Sequence, residues 1–334
     1  MKKDATIVVS GAQPTGELHI GNWAGSLRNW VALQDAHPER CWFFIADYHA
    51  MTIAYDPKEM QHRILDLAAS LLALGLDPKK STLFVQSDVP EVTELGWIFN
   101  TVTPVAEMER MTQYKDKAER QEKNVNMGLM DYPVLQAADI LIYGGNAVPV
   151  GQDQVQHVET TRVIARNFNK RFGDVFPESK ELLTETPKIM SLIDPTKKMS
   201  KSHGPKSYIA LDDEPEEILK KMKGVPTEPS GIVTDALLTT EAYAGVALLL
   251  DLIEMFGGKD ARKEAIAAQP VKYGELKKRA AEAVAVHFTD YRAKKKELMK
   301  NPDRIRIVLA AGGAKAGAVA KETMNSVRLA TGLR

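Results

Sequence analysis

The chain has 334 residues, 44% of them hydrophobic, with 44 basic and 44 acidic side chains and a formal net charge of +0. That length and apolar content suit a soluble globular protein of two domains, and a single cysteine, Cys41, excludes an internal disulfide and a thiolate zinc cluster and is expected in the core. The opening MKKDATIVVSGA has too short an apolar run for a signal peptide, and no later segment reaches membrane-spanning length, so the expected location is the cytoplasm.

In chain order, the apolar run ATIVVS, in the region 6 to 11, predicts a strand, and Asn22–Ala36 an amphipathic helix. A second strand, CWFFIAD, starts at Cys41, a helix runs from Pro57 to Leu74, and a third strand, STLFVQS, starts at Ser81. Continuous apolar strands separated by helices predict a parallel sheet with helices on both faces. From Asp212 onward helical patterns dominate, including ELKKRAAEAVAVHF and KKKELMKNPDRIRIVLAA, with breaks at Gly257-Gly258 and Asn301-Pro302. The expected fold is therefore an N-terminal α/β domain followed by a helical one. Charge is unevenly spread: Lys272–Arg334 carries 15 basic and 6 acidic residues, a balance of +9 that leaves −9 for the preceding 271. Such a block meets the phosphates of a nucleic acid or forms a solvated helix face.

Ligands of open parallel sheets bind at the carboxyl ends of strands, which puts weight on the loop after the first strand, SGAQPTGELHIGNW. Pro14, Gly16 and Gly21 permit a tight path, and a helix beginning near Asn22 points free N–H groups at a phosphate, with His19 and Asn22 as side-chain donors. The loop is neither a Walker A sequence nor a G-x-G-x-x-G fingerprint, and His19 also reads as a turn histidine without a ligand. In DPTKKMSKSHGPKS, Asp194–Ser207, lysines among Ser, Thr, Gly and Pro predict an exposed, mobile, cationic loop. Lys198, Ser200, Lys201 and Ser202 can follow a phosphate group during reaction, although basic loops are commonly only solvated.

In DYPVLQAADILIY, Pro133 suits a first helical turn, and Tyr132, Gln136, Asp139 and Tyr143 recur as one polar stripe. A carboxylate at Asp139 requires a buried donor, either a ligand or an internal Arg or Tyr. His49, after the second strand, is a pocket residue or a satisfied core histidine, and in VPVGQDQVQH the turn residues Gly151 and Asp153 are placed to meet ligand hydroxyls.

HIGN at His19–Asn22 and KMSKS at Lys198–Ser202 resemble the paired signatures of class I aminoacyl-tRNA synthetases. Over nearly its whole length the chain resembles the bacterial tryptophanyl branch, through SGAQPTGELHIGN, ADYHAMT, ERMTQYKDK, DYPVLQAADILIY, VPVGQDQVQH and IMSLIDPTKKMSKS; Asn22 in place of the final motif histidine is a usual variant there. The resemblance implies a Rossmann-like, nucleotide-binding catalytic domain over 1–211 and a helical domain binding the tRNA anticodon over 212–334. It implies activation of L-tryptophan by ATP to the adenylate, with pyrophosphate released, and transfer to tRNA(Trp). Magnesium would come with the ATP and no protein-held metal is expected; a homodimer is also implied.

By the same resemblance His19, Asn22, Lys117, Lys198 and Lys201 are catalytic, with Lys115 close enough to take the place of Lys117. ATP would meet Ala12, Gln13, Pro14, Thr15, Gly21, Asn22, Gly151, Gln152, Asp153, Ile189, Lys198, Met199, Ser200, Lys201 and Ser202. Tryptophan would meet His49, Tyr132, Gln136, Asp139, Val150 and Gln154, with Asp139 accepting the indole N–H and Tyr132 and Gln154 holding the α-ammonium group. Gln136 and Gln152 depart from the methionine and glutamate of many relatives. Tyrosyl-tRNA synthetase, a non-catalytic tRNA-binding or tryptophan-sensing paralogue, and an HxGH-type nucleotidyltransferase are the alternatives.

Overall fold

Five short runs form one parallel sheet in the order β3-β2-β1-β4-β5: β1 Val8–Ala12, β2 Cys41–Ile45, β3 Thr82–Val85, β4 Ala147–Val150 and β5 Lys180–Leu183. The computed structural model describes residues 5–111, 125–151, 154–183, 187–267 and 269–333. β2, β3 and β4 are buried along their whole length, as continuous apolar strands between helical layers must be, whereas β5 is a half-exposed edge. Val8–Ala12 pairs in register with Cys41–Ile45, and Val8 also faces Ala147 of β4. β1 thus lies between strands reached in opposite directions, the switch point at which an open sheet leaves a crevice beyond its carboxyl ends.

Local rules account for the helix boundaries. Asp56 accepts the Lys58 N–H and Pro57 occupies the first position, so Pro57–Ala73 starts where the sequence predicts. The helix predicted near Asn22 begins earlier, at Ile20, and passes through a π-helical turn at Trp23–Leu27 before continuing as Arg28–Ala36. Pro133 is not in a first turn: Asn126 caps the helix Met127–Leu141 by accepting the Leu129 N–H, which places Pro133 in its interior. Tyr143 lies past the end of that helix and so leaves the predicted stripe; its ring stacks on Trp42 at 5.1 Å, with its hydroxyl buried and unpartnered.

The chain forms two compact units: residues 1–16, 26–185 and 297–334 make the sheet unit, and 17–25 with 186–296 the second. The final helix, Pro302–Thr331, belongs to the sheet unit because its small face fits β3. A Cβ at Gly312 would lie 1.9 Å from the Leu83 carbonyl oxygen, so only glycine permits the approach, and Ala316, Ala320 and Met324 continue into the core. The second unit is a helical assembly in which Tyr273–His287 packs on Pro215–Lys223 and Ala244–Gly257. Gly258, at φ +93, separates the last of these from Lys259–Ala265, the break read from Gly257-Gly258. Cys41 is fully buried.

Gly312→Ala is expected to lower the unfolding free energy of the sheet unit by about 3 kcal/mol through overpacking. Gly317→Ala in the same helix, where a Cβ meets open space, should raise it by about 0.5–1 kcal/mol; urea unfolding of both variants checks the contrast.

Candidate active site

In the sheet unit the carboxyl ends of three strands each deliver a polar residue, Gln13 after β1, His49 after β2 and Gln86 after β3, and Gly151 follows β4. They accompany Asp139, 1% exposed on the Met127–Leu141 helix. Its Oδ2 lies 2.7 Å from His49 Nε2, and Gln86 Nε2 donates to both oxygens at 2.8 and 2.9 Å. The internal partners are thus a histidine and a glutamine rather than Arg or Tyr. Gln86 is held in turn, its carbonyl accepting the Tyr48 N–H at 3.1 Å. The same turn is fixed by Asp47, which accepts from the Ser87 N–H at 3.1 Å and the Ser87 hydroxyl at 2.5 Å.

Burial pushes the Asp139 carboxyl above the usual carboxylate range, and the His49 and Gln86 hydrogen bonds oppose that shift. A carboxylate has about four acceptor positions, so the three contacts from His49 and Gln86 leave capacity for one ligand N–H. Next to it, Tyr132 is buried, its hydroxyl 2.7 Å from His157 Nε2 and pushed up to about 12 by desolvation. His49 and Tyr132 meet edge to face at 6.3 Å. Gln136 is half-buried and is not among the partners of Asp139.

The second unit brings HIGN and KMSKS together. The Ile20 N–H donates to Ile209 C=O at 3.0 Å and the Leu211 N–H to Leu18 C=O at 2.8 Å, an antiparallel clasp centred on His19 and Ala210. The imidazole is 7% exposed, packs 5.7 Å from the Tyr208 ring, and has Nδ1 buried without a partner. Desolvation, helped by the ammonium groups of Lys201 and Lys198, lowers its pKa to about 4, so His19 is neutral at physiological pH. Gly21 makes room for it, since a Cβ there would lie 2.9 Å from the ring's Cε1 and Nδ1.

The N–H groups at this terminus are less free than the sequence implies. Ile20 is engaged by Ile209, the Asn22 N–H turns back to His19 C=O at 2.8 Å, and the Asn22 side-chain oxygen accepts the His19 N–H at 3.0 Å. Nor is the lysine loop open. Met199 is buried beside Ile189, its N–H donating to Ile189 C=O at 2.9 Å, while Met190 and Lys198 form a β-bridge. Ser200 caps the short turn Lys201–His203 by accepting the Ser202 N–H, and Ser207 Oγ donates to Ser200 C=O. Lys198 remains exposed and Lys201 reaches Glu17 C=O at 3.2 Å, so a pinned frame presents the cationic side chains.

Among the other predicted residues, Ala12 ends β1, Gln13 is exposed, Pro14 is buried and Thr15 is half-buried with its N–H on Gln13 C=O. Val150 ends β4, and Gln154 precedes the Val155–Phe172 helix with its N–H on Gly151 C=O. Lys115, Lys117, Gln152 and Asp153 lie outside the described residues. Sequence reasoning missed Gln86, His157 and Tyr208. The carboxyl-end rule, applied to the QSD following β3, would have found Gln86.

A parallel sheet with its switch point at β1, and, within the second unit, HIGN and KMSKS segments brought side by side with Lys201 on the Glu17 carbonyl, are the features of a nucleotide-using enzyme. A family model described as "tRNA synthetases class I (W and Y)" matches residues 1–289, and the chain belongs to that family. It is 42% identical to "Tryptophan--tRNA ligase 2" of Streptomyces avermitilis over 329 residues, covering 97% of this chain and 96% of the relative. Among solved structures it is similar to tryptophanyl-tRNA synthetase of Campylobacter jejuni complexed with ADP and tryptophan, at TM-score 0.87 and 33% identity, covering 98% and 100% of the two chains. The corresponding enzyme of Mycoplasma pneumoniae gives TM-score 0.84 and 30% identity, covering 99% and 98%.

Gly21→Ala should displace the imidazole and lower the rate of amino-acid activation about a hundredfold, while the urea midpoint changes little. A pH series tests His19 itself. Because its folded pKa is depressed from 6.5 to about 4, the unfolded chain binds the extra proton between those values. Stability is then fully present above about pH 6.5 and falls as pH drops toward 4, by up to about 3 kcal/mol; His19→Gln should flatten that slope in urea titrations.

Proposed function

We infer that this chain is a tryptophan–tRNA ligase. The carrying observation is 42% identity across 97% of the chain to a tryptophan–tRNA ligase, joined to a buried Asp139 with acceptor capacity for one N–H. In the first step the tryptophan carboxylate oxygen attacks the α-phosphorus of ATP; the bond to the bridging oxygen breaks and pyrophosphate leaves. In the second the terminal ribose hydroxyl of tRNA attacks the adenylate carbonyl, AMP departs and the hydroxyl proton is released to solvent. Neither step needs a covalent enzyme nucleophile, so catalysis is positioning and charge stabilisation.

Asp139 accepts the indole N–H, His49 and Gln86 hold that carboxylate in place, and Tyr132 and Gln154 orient the α-ammonium group, with Gln136 and Val150 lining the pocket. Neutral His19 donates a hydrogen bond to the α-phosphoryl oxygens without adding charge, an assignment supported by its low pKa. Lys198 and Lys201, with Lys117, neutralise the departing pyrophosphate. Gln13 meets the α-phosphate, Gly151 and Asp153 the ribose. Magnesium would come with the nucleotide's own phosphates and supply further charge neutralisation there.

The helical residues from 212 onward contact tRNA, the +9 balance of Lys272–Arg334 supporting this assignment. The enzyme works as a homodimer, a reading supported by the exposed Trp97, Val105 and Met127 of the sheet unit. Its substrates place the reaction in the cytoplasm; no described helix is long and apolar enough to cross a membrane.

ATP–pyrophosphate exchange with single amino acids tests the reading. Exchange should depend on tryptophan, and Asp139→Asn should lower kcat/KM for tryptophan about a hundredfold or more, since a pocket built for one hydrogen-bonding edge rejects what leaves its polar groups unpaired. Exchange driven by tyrosine and not by tryptophan overturns it.

A further inference from the structure

Directly after the clasp, two neighbouring carboxylates take their partners from helices of the same unit. Asp213 Oδ2 accepts the Ala210 N–H at 2.8 Å and lies 2.6 Å from Lys221 Nζ, and that ammonium sits 5.2 Å from the centroid of the Tyr208 ring packed on His19. Asp212 Oδ2 lies 2.5 Å from Lys295 Nζ, and its Oδ1 accepts the Tyr291 hydroxyl at 3.0 Å. Lys295 is 7% exposed, on a helix whose Lys294, Lys296 and Lys300 are exposed. Burying an ammonium carries a desolvation cost that apolar packing would avoid, and its best-attested use is to fix register.

What this pair fixes follows from its neighbours. Asp212 is bonded to Leu211, whose N–H is held by Leu18 next to His19. Tyr291 packs edge to face on Phe288 at 6.1 Å, and Phe288 packs at 5.3 Å on Trp23, the residue after Asn22. Trp23 also contacts His287 at 4.8 Å and Phe256 at 5.5 Å. One stretch of chain, from His287 at the end of the Tyr273–His287 helix to Lys295 in the helix Thr289–Lys300, therefore holds HIGN from both sides: through Asp212 and the clasp before it, and through Trp23 after it.

We propose that the Asp212–Lys295 pair, with Tyr291, is a positioning device that sets the register of the Tyr208–Asp213 segment and so aims His19 and the Ile20–Asn22 turn at the phosphates of ATP. The pair acts through that segment and touches no substrate. The proposal rests on the synthetase reading above.

The test is exchange kinetics on the full-length protein carrying Lys295→Met, Asp212→Asn, the double change, or Lys295→Arg. Asp251→Asn serves as control: it breaks an exposed pair with Arg262, 2.7 Å apart, in the same helical assembly. Rates are normalised to the folded fraction from thermal melts. Each single variant should lose on the order of tenfold to a hundredfold in kcat/KM for ATP, the scale of a misaimed reacting group, with KM for tryptophan within about twofold of the unaltered chain. The double variant should cost less than the two singles combined, Lys295→Arg should recover part of the loss, and Asp251→Asn should match the unaltered chain. Unchanged exchange in both singles, or an equal loss for both substrates that vanishes on normalisation, overturns the proposal. Absence of tryptophan-dependent exchange in the unaltered chain instead overturns the synthetase reading, independently of the pair.

Discussion

Two backbone hydrogen bonds, from Ile20 to Ile209 and from Leu211 to Leu18, join segments almost two hundred residues apart in sequence. They contain no side-chain chemistry, so they fix geometry whatever residues occupy the two segments, and the cluster of His19, Tyr208 and Lys201 is built around them. His19 is buried because the clasp lays Tyr208 against it, and it is neutral because burial and the lysines of the following loop disfavour its charged form. Under the proposed function, a neutral imidazole beside cationic side chains would separate two tasks, direction of a hydrogen bond and supply of charge, that a protonated histidine would merge.

In the sheet unit a single carboxylate has the comparable place. Asp139 places a carboxyl group in the apolar interior, with Gln86 and His49 around it and Tyr48 and Ser87 behind. Tyr48 satisfies Gln86 and Gln86 satisfies Asp139, so the position of the carboxyl group is specified by the network rather than by one residue. The network draws its members from the loops after β2 and β3, where Asp47, Tyr48, His49, Gln86 and Ser87 stand.

Much of this was legible in the sequence. Continuous apolar strands separated by amphipathic runs gave the parallel sheet, and glycine pairs and Asn-Pro marked helix breaks correctly. The residue that caps a helix is harder to read: Pro133 looked like a first-turn residue because Asn126, the actual cap, stands one turn outside the apolar pattern. Lys295 was indistinguishable from its solvated neighbours because its partner Asp212 lies 83 residues away. Gln86 and His157 were hidden for the same reason, since a polar residue acquires a role only when the fold supplies its counterpart. The lysine loop reads as unstructured by composition, yet its buried Met199 is an anchor that a count of charges overlooks.

The close approach of Gly312 to Leu83 has a consequence for how the chain is made. β3 is complete once residue 85 has been synthesised, yet one of its faces is covered by a helix that ends at Thr331. The second unit, whose residues end at Lys296, is whole before that helix emerges. A growing chain therefore carries an uncovered apolar strand surface while more than two hundred further residues are added, and β3 reaches its final packing only after the Pro302–Thr331 helix has emerged.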